Sequence, residues 1–137
     1  MSETSDSAGP VGILAALGSM SVDDEAAAGA FYRDVLGATI DELPLGGGLV
    51  VTFGDGHRLH VYGKGSRHEP ASYTALALVV ADIDEAVIRL NALGVATKIY
   101  DDAVLPTDER GIARTDSGSR AWFLDPARNV LSVAQLG

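Results

Sequence analysis

The chain has 137 residues, a formal net charge of −9 and no cysteine. This length is sufficient for one domain with a hydrophobic core of its own. The negative charge argues against nucleic acid or an anionic membrane as a partner, because phosphate binding needs clustered Lys and Arg. The absence of cysteine excludes disulfides, thiolate metal sites and a cysteine nucleophile, and no apolar run approaches the roughly 18 residues that span a bilayer. We therefore expect a cytoplasmic protein, since a chain without cysteine suits a reducing compartment.

The N-terminal part predicts a tail, a strand and a helix. Residues 1–10 are small, polar and acidic, which predicts a disordered tail rather than a signal or transit peptide. Residues 11–20 form an apolar run of strand length, although their alanines and leucines leave a helix open. The segment Ser21-Val22-Asp23-Asp24 fits a capping box with Ser21 as the N-cap. The helix that follows ends at Gly37, and its apolar face carries Ala27, Phe31 and Val35.

Two strands and a linker follow this helix. Residues 48–53 and 58–62 read as strands, and the Asp-Gly pair between them is a strong hairpin signal. Residues 63–71 contain Gly, Ser and Pro, which predicts a linker.

The second half repeats the same order of elements. Residues 72–80 predict a strand that leads into a helix. We expect Asp82 to be the N-cap of this helix, the Glu85 side chain to bond back to the first turn as in a capping box, and Gly94 to end the helix. Residues 101–119 predict a long loop, and loops beyond about 12 residues are usually functional lids or disordered. The two strands that remain flank a proline turn and comprise residues 120–124 and 129–134.

The two halves are copies of one pattern. Asp82 follows Asp24 by 82 − 24 = 58 residues, and Phe123 follows Phe53 by 123 − 53 = 70 residues, so the second copy carries an insertion. Neither copy is large enough to bury its own apolar face. We therefore predict one α+β domain over residues 11–137, made of two tandem βαβββ modules at residues 11–63 and 72–137. A cleft between related halves is a natural ligand site.

Two segments resemble a known family. The segments are Phe31-Tyr32-Arg33-Asp34-Val35-Leu36-Gly37 and Trp122-Phe123-Leu124-Asp125-Pro126 followed by Asn129-Val130-Leu131. Together with the paired βαβββ units, they resemble the vicinal oxygen chelate superfamily of glyoxalase I, bleomycin-resistance proteins and extradiol dioxygenases. The resemblance covers residues 12–135 and implies that the modules form a curled mixed sheet. It indicates the fold better than any activity.

The resemblance also implies where a metal would bind. Metalloenzymes of the superfamily carry one ligand near the middle of the first and last strand of each module. Those positions fall on Leu17, His60, Ala75 and Ser132, so one metal-binding side chain of four is present. A Zn²⁺ or Ni²⁺ site needs at least three His or carboxylate donors. The resemblance thus implies a metal-site-degenerate member with no metal and no other cofactor.

Four residues form the predicted ligand site. His60 and Tyr62 share one strand face, and Arg120 and Trp122 share another. We expect His60 and Tyr62 to line an apolar cup, with Arg120 and Trp122 at its wall or rim. Purely structural roles also remain open: His60 could be bonded to the backbone, and Trp122 could pack in the core or at the rim without contacting a ligand. Three arginines are candidates to meet a carboxylate or phosphate, and these are Arg110, Arg114 and Arg120.

Three functions remain open at this point. The first is a metal-free protein that binds and sequesters an aromatic or amphipathic small molecule, comparable to the bleomycin-resistance branch. The second is a lyase or isomerase of the glyoxalase type that uses His60 as a general base. The third is a dimeric interaction domain without a ligand. The missing metal donors favour the first over the second, and exposed sheet edges predict a homodimer.

Overall fold

A computed structural model describes residues 9–137 of the chain. Most of the predicted tail, residues 1–8, lies outside the described residues. The described part has an α+β fold with two α-helices and eight strands. In chain order these are β1 Gly18–Val22, α1 Glu25–Asp34, β2 Thr39–Glu42, β3 Leu49–Thr52, β4 Arg58–Gly63, β5 Thr74–Val79, α2 Ile83–Ala92, β6 Ile112–Thr115, β7 Gly118–Leu124 and β8 Val130–Leu136.

The strands form two four-stranded mixed sheets with the same topology. The strand order is β1-β4-β3-β2 in the first sheet and β5-β8-β7-β6 in the second. In each sheet the first strand runs parallel to the last, and the other neighbours are antiparallel. The repetition predicted from the sequence is therefore confirmed as two βαβββ modules.

The helix caps correct one prediction. Asp24, rather than Ser21, is the N-cap of α1, because its backbone is extended and its carboxylate accepts a hydrogen bond from the Ala27 amide at 3.1 Å. Ser21 lies in β1 opposite Tyr62, so the chain stays extended through the residue that was predicted to start the helix. Asp82 caps α2 as predicted and accepts from the Glu85 amide at 3.1 Å.

Two strand predictions also needed correction. The predicted strand at residues 11–20 begins only at Gly18, which pairs with Leu59, the second residue of β4. Because β4 starts at Arg58, residues before Leu17 lie beyond the end of the strand they would pair with. The predicted loop at residues 101–119 contains β6 and the start of β7. The two strands form a hairpin, and a glycine at its turn, Gly118, has a φ of +139° that suits few other residues.

Alternation along the strands separates a helix-covered face from an opposite face. Leu59 and Val61 are buried in the core with residues of α1, whereas His60 and Tyr62 point to the other side of the sheet. In the second sheet α2 packs against β7 and β8. Each helix has 10 residues, and within residues 9–137 no helix is long and apolar enough to cross a membrane.

A buried polar network joins the two modules. The Tyr32 hydroxyl, on α1, donates to the Asp125 carboxylate at 2.9 Å, and both residues are at most 3% exposed. Asn129 donates from Nδ2 to the Ser21 carbonyl at 2.9 Å and to the same carboxylate at 3.1 Å. Nearby, His68 of the linker contacts the Ser21 hydroxyl at 2.8 Å and the Ala127 carbonyl at 2.9 Å. The turn between β7 and β8 is thus anchored to α1 and β1.

Candidate functional site

His60 lies in the middle of β4, on the face that α1 does not cover. Its Nε2 is 2.7 Å from the Gly47 carbonyl oxygen, which only accepts, so Nε2 carries the hydrogen. Its Nδ1 is 3.2 Å from the Ser19 hydroxyl of β1, and in this tautomer Nδ1 accepts that hydrogen bond. Both ring nitrogens of His60 are therefore occupied by groups of the same chain.

The segment between β2 and β3 reaches His60 through glycine. A 3₁₀ turn at Pro44–Gly46 leads into Gly47 and Gly48. Gly48 has a φ of +93°, and a Cβ on it would lie 2.5 Å from the Val61 carbonyl oxygen and 3.1 Å from His60 Nε2. This close approach requires glycine, because any side chain would push the segment away from His60.

Tyr62 extends the polar face of β4 into an aromatic surface. The Tyr62 and His60 rings are stacked, with centroids 5.4 Å apart and an interplanar angle of 26°. Tyr62 is 37% exposed, so part of this surface faces solvent. The pair offers a flat contact surface of the kind that aromatic ligands use.

A second aromatic group lies on β7. The Trp122 indole N–H donates to the Thr74 hydroxyl at 3.2 Å, and the Tyr100 ring packs edge-on against Trp122 with centroids 6.1 Å apart. Trp122 is partly exposed, and it lies opposite Ser132 of β8. Arg120, two residues earlier on the same strand face, is exposed and has no ion pair within residues 9–137.

The structure places the four predicted site residues in two separate pairs. His60 and Tyr62 belong to the first sheet, and Arg120 and Trp122 belong to the second. Among residues 9–137 no hydrogen bond or aromatic contact joins one pair to the other. Each sheet of a single chain thus carries one candidate half-site on its strands.

The residues at the expected metal positions do not fit a divalent metal. The strand register places Ser19 opposite His60 and Ala77 opposite Ser132, two residues beyond the predicted Leu17 and Ala75. An irregularity between Thr74 and Leu76 contributes to the second displacement. With either set, His60 is the one strong donor, whereas three are needed. Within residues 9–137 no group of three or more His, Asp or Glu could hold a metal ion.

The other predicted anion contacts differ in availability. Arg114 pairs with Asp84 at 2.6 Å and lies 3.5 Å from Asp108. The hydrogen bond from Arg114 lowers the pKa of Asp84 below its usual range. Arg114 is therefore engaged with carboxylates of its own module, and Arg120 is the better placed cation beside an aromatic group.

Several residues of the site were not predicted. Ser19, Gly47 and Thr74 contact the predicted side chains directly, and Tyr100 packs on Trp122. The run Gly46-Gly47-Gly48 predicted a turn, but nothing in it indicated that the Gly47 carbonyl would contact His60. Tyr100 follows an irregular segment, so no periodic pattern placed it near β7.

Comparison with known proteins agrees with this architecture. A family model described as the glyoxalase/bleomycin resistance protein/dioxygenase superfamily matches residues 13–133. The structure is similar to TnmS3, an antibiotic binding protein from Streptomyces sp. CB03234, with a TM-score of 0.66 and 25% identity over 90% of this chain and 98% of TnmS3. A search of curated protein sequences found no match.

Two further solved structures show how wide the functions on this fold are. A glyoxalase/bleomycin resistance protein from Streptomyces sp. CB03234 is 26% identical, with a TM-score of 0.63 over 85% of this chain and 96% of that protein. Lactoylglutathione lyase from Agrobacterium tumefaciens is 22% identical, with a TM-score of 0.64 over 90% of this chain and 94% of the lyase. A binding protein and a lyase thus share the fold, which by itself selects neither function. The repeated modules, the strand order and the matching family model show that this chain belongs to the glyoxalase/bleomycin resistance protein/dioxygenase superfamily.

Proposed function

We propose that the protein binds and sequesters small aromatic molecules without a catalytic metal. The observation that carries this proposal is the side-chain content of two sheet faces, which we call the helix-free sheet faces. One is the face of β4 that carries His60, and the other is the face of β7 that carries Trp122, opposite the buried Ala121 and Phe123. The expected metal positions hold one histidine, and aromatic rings lie beside them, Tyr62 next to His60 and Trp122 opposite Ser132. The likeness to an antibiotic binding protein at 25% identity supports the same interpretation.

The environment of His60 argues against a lyase or isomerase that uses it as a base. A general base needs a lone pair that faces the substrate. The Nδ1 lone pair of His60 accepts from Ser19, and Nε2 donates to Gly47. His60 would have to give up its hydrogen bond from Ser19 before it took a proton from a substrate. Stacking of the His60 ring on Tyr62 needs no such change.

The surface chemistry suggests the class of ligand. Tyr62 and Trp122 offer partly exposed rings for stacking, and an aromatic pair contributes about 0.5–1.5 kcal/mol beyond the area it buries. Arg120, on the same face as Trp122, offers a guanidinium that a carboxylate or phosphate substituent can bind. We therefore propose a planar aromatic ligand with an acidic substituent, bound to His60, Tyr62, Arg120 and Trp122.

We also propose that the functional form is a cytoplasmic homodimer. The terminal strands β1, β2, β5 and β6 leave unpaired sheet edges, and symmetric pairing of two copies is a common way to cover such edges. A second copy would also bring additional half-sites within reach of one ligand. The absence of cysteine supports a reducing compartment.

Trp122 provides a direct test because it is the chain's one tryptophan. Planar aromatic compounds, with and without an acidic group, are titrated into protein held in EDTA while indole fluorescence is followed. We expect saturable quenching by at least one acidic aromatic compound. Calorimetry should then show weaker binding for Tyr62→Leu and near-normal binding for Tyr62→Phe, which keeps the ring. Arg120→Gln should weaken binding of the acidic compound, whereas Arg33→Gln, on exposed α1 surface, should not.

Two results would contradict the proposal. If no compound binds, an interaction domain without a ligand becomes the better account. If compounds bind or react only after a transition metal is added, the metal-free interpretation is wrong.

A further inference from the structure

The Trp122 side chain crosses the middle of the second sheet. Its indole N–H donates to the Thr74 hydroxyl at 3.2 Å, and β8 lies between the strands that carry the two residues. Neighbouring strands are about 4.8 Å apart, so these two contacting side chains bridge about 10 Å between β7 and β5. Ser132 of β8 lies opposite Trp122 and is 2% exposed. The indole ring therefore lies over β8, with one face toward the small Ser132 side chain and the other toward solvent.

A β-bulge in β5 brings Thr74 to this face of the sheet. Between Thr74 and Leu76, β5 advances by two residues while β8 advances by one. In a regular ladder Ala75 would lie opposite Val130, and Thr74 would point to the helix-covered face. The extra residue places Thr74 itself opposite Val130, on the face that carries Trp122. Bulges beside binding sites commonly re-aim a side chain in this way.

Tyr100 contacts the same indole from a different part of the chain. It lies in the segment after α2, and its ring is edge-on to the indole at an interplanar angle of 77°. The two contacts to Trp122 thus come from outside β7 and limit how far its ring can turn. Because a side chain that is free to turn has to be ordered when a ligand stacks on it, a ring that is already fixed binds more tightly.

Arg120 lies beside this ring among small side chains. It pairs with Ala113 of β6 and with Ala134 of β8, and it precedes Trp122 by two residues on the same strand face. An alanine can neither pair with the guanidinium nor extend over it. The guanidinium is therefore open to a carboxylate or phosphate group of a molecule that stacks on Trp122.

We propose that Thr74 and Tyr100 are positioning residues that hold the Trp122 indole flat across β8, so that its outer face is a fixed stacking platform beside Arg120. This inference rests on the aromatic ligand proposed above and identifies what orders the ring before the ligand binds. The indole N–H already donates to Thr74, so the ligand is recognised through the ring face and through Arg120. The ligand class is then an aromatic acid that needs no hydrogen-bond acceptor at the indole edge.

NMR of the indole N–H tests the hold directly, because one tryptophan gives one indole signal. The full chain is labelled with ¹⁵N, and Thr74→Val is compared with Thr74→Ser, which keeps the hydroxyl. We expect the indole proton to shift and to exchange faster with water in Thr74→Val, and to stay close to its natural behaviour in Thr74→Ser. The matched control Thr39→Val changes an exposed strand threonine of the first sheet and should leave the signal unchanged. Equal shift and exchange in Thr74→Val and the natural chain would overturn the assignment.

An affinity measurement separates positioning from packing. 2-Naphthoate, a planar aromatic acid, is titrated by calorimetry into each variant in EDTA. We expect Thr74→Val and Tyr100→Leu to weaken binding by about 2- to 10-fold, the effect of ordering one side chain on binding, and Thr74→Ser and Tyr100→Phe to bind like the natural chain. The urea midpoint of Thr74→Val should match that of Thr39→Val, because both threonines are exposed.

The two proposals fail in different ways. If the natural chain binds 2-naphthoate and Thr74→Val binds it equally well, the ligand proposal stands and the positioning proposal is overturned. If Thr74→Val and Thr74→Ser weaken binding equally, the hydroxyl is unimportant and the positioning proposal is again overturned. If the natural chain does not bind 2-naphthoate, the aromatic-acid ligand and the platform are both contradicted.

Discussion

Loss of the Tyr32 hydroxyl is expected to destabilise the protein, because this group links the two modules. Tyr32 is fully buried, and its hydroxyl donates to the Asp125 carboxylate, which lies in the turn between β7 and β8. Tyr32→Phe removes this hydrogen bond and keeps the ring that packs edge-on against Phe31 at 5.5 Å. The substitution therefore isolates the polar contact between modules from the packing around it.

The expected cost follows from what remains around Asp125. Its carboxylate keeps hydrogen bonds from the Asn129 amide at 2.8 Å and from Asn129 Nδ2 at 3.1 Å, so it is not left without partners. The loss is that of one hydrogen bond to a carboxylate, about 1.5–3 kcal/mol. With an unfolding entropy of roughly 2.1 cal/mol/K per residue over 137 residues, this corresponds to a fall of about 5–10 °C in Tm.

The assay is urea unfolding monitored by circular dichroism, with calorimetry for Tm. The matched control Tyr73→Phe removes a hydroxyl from a tyrosine that is 72% exposed, and it should change the free energy of unfolding by less than about 0.5 kcal/mol. A Tyr32→Phe protein within about 0.5 kcal/mol of the natural chain would refute the role given to this hydrogen bond.

The same contact predicts a dependence of stability on alkaline pH. Burial first, and then the Asp125 carboxylate, raise the pKa of Tyr32 far above its ordinary value of about 10. Above about pH 10 the unfolded chain loses the Tyr32 proton while the folded chain keeps it. This contribution to stability is therefore complete below about pH 10 and declines above it by about 1.4 kcal/mol per pH unit. Tyr32→Phe should flatten this decline in urea titrations, and an equally steep decline in the variant would contradict the assignment.

Three further predictions concern the candidate site. Elemental analysis of protein purified without chelators should find no stoichiometric transition metal, and about one metal per chain would overturn the metal-free proposal. His60→Ala should weaken ligand binding by about 0.5–1.5 kcal/mol in calorimetry and leave the circular dichroism spectrum unchanged, because it removes the ring that stacks on Tyr62 and widens the aromatic contact surface; unchanged affinity would remove His60 from the site. Gly48→Ala should lower the free energy of unfolding by at least about 1–2 kcal/mol and by more than Gly37→Ala, since both glycines have positive φ but only a Cβ at Gly48 meets backbone atoms. Equal losses for the two glycine variants would show that the close approach to Val61 is unimportant.

Much of the fold was predictable because its signals are local. The Asp24 and Asp82 landmarks, the glycines that end both helices and the Asp-Gly turn each depend on a few neighbouring residues, and all lie where the structure has helix starts, helix ends and a hairpin. The errors arose where pairing with a distant strand decides the outcome. β1 begins where β4 offers a partner, and β6 exists because β7 folds back onto it.

The site was less predictable than the fold. Strand alternation placed His60 and Tyr62 on one face, which the burial of Leu59 and Val61 on the other face supports. The groups that engage His60 are 41 and 13 residues away in sequence, so no local pattern indicated them. Whether Arg120 and Trp122 meet the same ligand as His60 depends on the assembly and stays a prediction.

The most direct test of the account is calorimetric titration of the tightest-binding aromatic compound into protein dialysed against EDTA. The account predicts one set of saturable sites, and their affinity for the compound is the same with EDTA and with added Zn²⁺ or Ni²⁺. The Trp122→Leu variant is expected to bind the compound more weakly. Binding that appears only with metal, or that Trp122→Leu leaves unchanged, would contradict a metal-free aromatic site on the helix-free sheet faces.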